Sequence, residues 1–139
     1  AGITLYTVGS IKEIKGIKKY LAVDGGMFES PRYCLYGSKY EAMLANRANE
    51  EPTEYVSVAG KCCESGDLIG EGFNLPKAKS GDILAVFSTG AYHYSMASNY
   101  NRNLVPPVII VKDGKADYLV KPQTYDDLIR NDALPASLK

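Results

Sequence analysis

Apolar and β-branched residues in this chain come in short bursts, each cut off by Gly, Pro, Asn or Asp, and this punctuation leaves little room for long helices. The bursts run from Ile3 to Val8, Lys18 to Val23, Tyr55 to Val58, Asp67 to Glu71 and Ile83 to Phe87, the last opened by a Gly81-Asp82 turn. Val108 to Val111 and Tyr118 to Val120 flank Asp113-Gly114 and read as a β-hairpin. About seven or eight strands at this spacing predict a mainly β barrel or sandwich with a few short helices. Two helical starts stand out. In Ser30-Pro31-Arg32-Tyr33-Cys34-Leu35-Tyr36-Gly37, Ser30 is placed to cap, Pro31 suits the first helical position and Gly37 ends the turn. Thr124 is placed to cap a second, with Asp126 and Asp127 complementing the positive end of its dipole.

Several function classes lose ground on composition. Sixteen basic residues balance sixteen acidic ones, so no net field draws the chain to nucleic acid or an anionic membrane, and neither partner is expected. No apolar run approaches the ~18 residues that span a bilayer. Cys34, Cys62 and Cys63 are odd in number and lack a second close pair, which argues against a disulfide framework or a zinc site and for a reducing, cytoplasmic setting. His93 is the one histidine, so a Ser-His-Asp triad is hard to build. The length suits one domain, and a first residue of Ala1 reads as a processed or excised piece.

Three segments hold residues that could do chemistry. If Ser30 to Gly37 is helical, Arg32 and Tyr36 share a face four residues apart. A guanidinium fork with a phenol makes a carboxylate clamp, although an Arg stem packed on a Tyr gives the same spacing. In Gly60-Lys61-Cys62-Cys63-Glu64-Ser65-Gly66-Asp67 a thiol stands beside a carboxylate. Strand neighbours face opposite ways, so Cys63 and Glu64 can serve one site only from a loop, which Gly60 and Gly66 permit. A nearby negative charge lifts a thiol above its usual ~8.5 and leaves it neutral, suited to giving a proton; the plainer alternative is an inert buried Cys beside a solvated Glu. The third segment, Ser88 to Asn101, leaves an apolar strand carrying Tyr92, Tyr94 and Tyr100. Such a strand exit can line a polar pocket or cover a barrel mouth, and Tyr92 could hydrogen-bond to or pack on a flat cofactor. His93 reads as structural.

Taken together, Val23-Asp24-Gly25-Gly26-Met27, Pro31-Arg32 with Leu35-Tyr36-Gly37, Cys63-Glu64-Ser65-Gly66-Asp67, Gly90-Ala91-Tyr92 and Met96-Ala97-Ser98-Asn99-Tyr100-Asn101 resemble the diaminopimelate decarboxylases in order and spacing. The Cys-Glu-Ser-Gly-Asp and Gly-Ala-Tyr elements recur with variation in ornithine and arginine decarboxylases; the combination with Pro-Arg-x-x-Leu-Tyr points to the diaminopimelate branch. The resemblance implies a two-domain parent: an N-terminal (β/α)8 barrel carrying pyridoxal phosphate, absent from this chain, and a C-terminal β-domain like that of alanine racemase, here residues 1–139. It further implies that Arg32 and Tyr36 hold the distal carboxylate of meso-diaminopimelate and Glu64 its distal ammonium. Tyr92 would touch substrate and cofactor, and Cys63 would protonate the carbanion left when carbon dioxide departs. Cys63 is preferred to Cys62 because it directly precedes Glu64. In the resembled enzymes the Cys-Glu pair reaches into the neighbouring subunit's site, so a homodimer is expected. Alternatives are a domain of a related amino-acid or carboxylated-polyamine decarboxylase and a non-catalytic β-barrel binding module.

Overall fold

A computed structural model describes residues 2–138. The chain divides into two compact units, Ala1–Ala97 and Ser98–Lys139. The first is built on a six-stranded sheet with strand order β3-β6-β1-β2-β4-β5. Its strands are β1 (Ile3–Ile14), β2 (Lys18–Val23), β3 (Ala42–Leu44), β4 (Glu54–Ala59), β5 (Leu68–Leu75) and β6 (Ile83–Phe87). The edge strands β3 and β5 approach each other, so the sheet curls into a nearly closed barrel.

β1 makes that curl possible. Its first half, Ile3 to Thr7, pairs antiparallel with β6, and from Val8 onward it pairs with β2, with a register irregularity between Val8 and Ile11. An irregularity of this kind bends a strand and sharpens its twist. One strand thereby serves two parts of the sheet. β2 and β4 run parallel, pairing Tyr20 with Ser57 and Leu21 with Val58. The inward faces of all these strands form one core, in which Leu21, Val58, Ile69, Leu84 and Val86 are fully buried. Each such side chain contributes about 1.5–3 kcal/mol relative to exposure.

The second unit holds a separate two-stranded sheet of β7 (Val108–Lys112) and β8 (Lys115–Val120), joined at Asp113-Gly114 as the sequence predicts. Its helix α3 (Tyr125–Ile129) carries the anticipated cap in full: Thr124 and Asp127 exchange side-chain and backbone hydrogen bonds in a capping box. Among the described residues no helix is long and apolar enough to cross a membrane.

One core group stands out chemically. Glu29 is 5% exposed, accepts the Tyr6 hydroxyl at 2.8 Å and the Gly26 N–H at 3.1 Å, and burial raises its carboxyl to about 7. Those two hydrogen bonds pull the other way, while Asp67 and Asp24 add to the rise. An unfolded Glu ionises near 4.5, so between that value and about 7 the folded chain keeps a proton that the unfolded chain has lost. Stability from the neutral carboxyl is therefore complete below about pH 4.5 and is lost by about pH 7, a span of about 3 kcal/mol. Denaturation midpoints measured from about pH 5 to pH 8 should fall for the wild type, and Glu29→Gln should flatten the curve. Parallel curves for the two proteins would remove Glu29 from this role.

Candidate active site

The turn after β2 sets the first group of residues. The N–H groups of Glu29 and Ser30 both donate to the Gly26 carbonyl, at 3.1 and 3.0 Å, and the turn draws Ser30 inside to 1% exposure. The short helix α1 (Arg32–Tyr36) then begins with Pro31 at its cap position and no side-chain cap. The expected Ser30 cap is thus corrected: its hydroxyl has gone inward with the turn and has no hydrogen-bond partner among the described residues. Gly37 ends the helix in the left-handed conformation, φ 64°, as expected.

On α1, Arg32 and Tyr36 do meet. The Arg32 guanidinium lies 5.4 Å from the centre of the Tyr36 ring and 5.0 Å from that of Tyr92. Each contact is worth about 0.5–1 kcal/mol at a site this open. Among the described residues no acid pairs with Arg32. Two exposed rings therefore steady the guanidinium while its N–H groups stay available to an incoming carboxylate.

Tyr92 reaches this position from β6. Its backbone is left-handed, φ 67°, a conformation that costs a bulky residue of the order of 1–3 kcal/mol and persists only where its surroundings enforce it. They do so here. Thr89 donates its N–H to the Gly2 carbonyl at 3.2 Å and accepts the Thr4 hydroxyl at 2.9 Å. On the other side begins the short helix α2 (His93–Met96), with His93 buried edge-on against the Tyr40 ring at 5.2 Å and its Nδ1 3.3 Å from the Ala91 carbonyl. Burial holds the imidazole below its ordinary pKa and so favours its neutral form.

The loop from Gly60 to Asp67 joins β4 to β5 and carries Cys63 and Glu64, both exposed. Glu64 Oε1 accepts the Gly66 N–H at 3.2 Å. Cys62 is half-buried, and its thiol is pushed up to about 11, first by burial and then by the Asp67 carboxylate beside it. The organising group is Asp67, which sequence reasoning placed in the motif without a role. It is 4% exposed, with Oδ1 accepting the Met27 N–H at 2.6 Å and Oδ2 the Cys62 N–H at 2.7 Å. Its side-chain bond to Met27 spans forty positions of sequence, so no local spacing betrays it.

α1 separates the two groups of candidate residues. Residues on an α-helix advance ~100° per position, which sets Cys34 roughly opposite Arg32 and Tyr36. The Cys34 thiol donates to the Gly66 and Leu68 carbonyls at 2.9 and 3.3 Å, seating that face on the exit of the Cys63-Glu64 loop. Tyr33 adds a hydrogen bond to Glu71 at 2.8 Å, and Lys18 pairs with the same carboxylate, holding it below its ordinary range. The structure therefore gathers Arg32, Tyr36 and Tyr92, and sets Cys63 and Glu64 on a loop against the opposite side of the helix.

Tyr92 is 62% exposed, with the Arg32 guanidinium over its ring.

A family model described as "Pyridoxal-dependent decarboxylase, C-terminal sheet domain" matches residues 1–90. The chain is 55% identical over 132 residues to a diaminopimelate decarboxylase of Bacillus subtilis, a match covering 95% of this chain and 30% of the relative. It is 56% identical over 133 residues to that of Staphylococcus aureus, covering 95% and 31%. A crystal structure of diaminopimelate decarboxylase from M. jannaschii in co-complex with L-lysine superposes with a TM-score of 0.90 at 34% identity, covering 99% of this chain and 31% of that one. The chain thus spans about 30% of the length of the curated relatives it matches.

Proposed function

Because this chain belongs to the C-terminal sheet domains of pyridoxal-dependent decarboxylases, we propose that it serves a diaminopimelate decarboxylase, supplying substrate grip, the proton donor and dimer contacts for conversion of meso-diaminopimelate to L-lysine. The observation that carries this reading is a guanidinium with no acid partner among the described residues, held between two exposed phenol rings, Tyr36 and Tyr92. A substrate with two amino groups and two carboxylates needs a fixed cation for the carboxylate that does not react. Arg32 offers its planar fork to that carboxylate, and Tyr36 adds a hydroxyl from the same helical face.

Pyridoxal phosphate, held mainly by the rest of the parent protein, supplies the electron sink that lets carbon dioxide leave. Tyr92 borders it and fixes the near edge of the substrate. Glu64 takes the distal ammonium with the carboxylate oxygen that Gly66 leaves open. Cys63 then delivers its Sγ proton to the substrate carbon. Since α1 sets the Cys63-Glu64 loop away from the Arg32 cluster, the two sets serve different sites of a head-to-tail homodimer in the cytoplasm, each loop completing its neighbour's site.

Turnover by the full-length protein tests the substrate. Carbon dioxide release from meso-diaminopimelate should exceed that from L-ornithine, L-arginine or L-lysine by at least ~10²-fold in kcat/KM, because a site built for a buried charged group rejects substrates lacking it. Comparable turnover of ornithine would contradict the assignment. The 139-residue chain alone should release no carbon dioxide and take up no pyridoxal phosphate covalently; visible absorbance from protein-held cofactor would overturn that expectation.

A further inference from the structure

We propose that Asp67 is a positioning residue: its buried carboxylate latches the Cys63-Glu64 loop to the turn that launches α1, and so holds the thiol and the guanidinium each in place for the site it serves. This rests on the functional reading above and deepens it. Asp67 grips both sides of the junction, the Cys62 N–H on the loop and the Met27 N–H on the turn, at 2.7 and 2.6 Å. A third bond, from the Lys61 N–H to the Gly25 carbonyl at 3.0 Å, runs alongside. The loop closes on itself where the Gly60 N–H donates to the Asp67 carbonyl at 2.9 Å.

The glycines on either side are shaped around this carboxylate. A Cβ added at Gly60 would lie 2.2 Å from Asp67 Oδ2, and one at Gly26 would lie 2.7 Å from the same atom. Neither glycine has a left-handed φ, so close approach of the carboxylate explains them rather than backbone conformation. The carboxylate lies at the junction of loop and turn. It acts through the backbone of Cys62 on one side and Met27, five residues before Arg32, on the other. A displacement of about 1 Å at a catalytic group can cost ~10²-fold in rate, so the latch should register in turnover well before it registers in folding.

The test uses the full-length protein carrying Asp67→Asn, which keeps the size of the side chain and removes its ability to accept from both N–H groups at once. The expected result is a fall in kcat of about 10–100-fold with KM changed far less, measured well below the melting temperature. Leu75→Ala, a core truncation at the end of the β4-β5 pair opposite the loop, should lower the melting temperature without lowering kcat, which separates positioning from stability. Tryptic cleavage after Lys61 in the native protein, read by mass spectrometry, should quicken in Asp67→Asn as the loop opens. This readout needs no substrate, so it judges the latch even if the protein proves inactive on diaminopimelate. Should Asp67→Asn fail to fold, Gly60→Ala keeps the charge and displaces the carboxylate, and should reproduce both effects. A kcat within about twofold of wild type together with unchanged cleavage after Lys61 would overturn the proposal.

Discussion

Replacing Cys63 by alanine in the full-length protein should lower kcat by ~10²–10⁴-fold, the usual contribution of a positioned acid, while Cys62→Ala leaves it nearly unchanged. The two thiols are adjacent in sequence and differ in surroundings. Cys63 is exposed on the loop. Cys62 is half-buried, its N–H is engaged by Asp67, and the same carboxylate helps to push its thiol up to about 11. A proton donor must reach the reacting carbon, and of these two thiols Cys63 is the exposed one. KM for diaminopimelate should change little in Cys63→Ala, because the proton is needed after binding. Equal, small effects of the two substitutions would take the thiols out of the mechanism.

Arg32→Ala should act on the other half of the chemistry, raising KM for diaminopimelate about 10–100-fold, since hydrogen bonds to a charged partner contribute about 1.5–3 kcal/mol. Arg32→Lys should recover little. An ammonium carries the charge but cannot present two parallel N–H groups to a carboxylate, and it sits less well between the Tyr36 and Tyr92 rings. Steady-state kinetics of the three proteins decides this. Undiminished affinity for diaminopimelate in Arg32→Ala would assign the distal carboxylate to another residue.

Much of this arrangement was legible before any coordinates. Strand bursts predicted β1, β2, β4 to β8 and the Asp113-Gly114 hairpin because alternation and turn residues are local signals. β3 escaped, since three residues, Ala42 to Leu44, are too few to show a period. The parallel pairing of β2 with β4 depends on a connection through α1 and β3, which alternation cannot encode. In the candidate site, the Arg32-Tyr36 pair followed from helical spacing, whereas the approach of Tyr92 needed a left-handed backbone at a residue that rarely adopts one. Ser30 has the chemistry of a cap but not its position, because the hydrogen bonds of the preceding turn to Gly26 carry the hydroxyl inward. Asp67 was visible as a letter in a motif, but its partner Met27 lies forty positions away.

The division of labour across α1 can be measured directly by mixing two impaired full-length variants, Arg32→Ala and Cys63→Ala, after reversible dissociation of the subunits and assaying at diaminopimelate well below the wild-type KM, where each variant alone turns over slowly. If each site takes its guanidinium from one chain and its thiol from the other, a mixed dimer contains one wholly intact site, and random reassociation should restore about a quarter of wild-type activity. If both groups served a site within the same chain, every site in the mixture would carry a defect. Activity no greater than that of the separate variants, with mixed dimers verified by native mass spectrometry, would contradict the account.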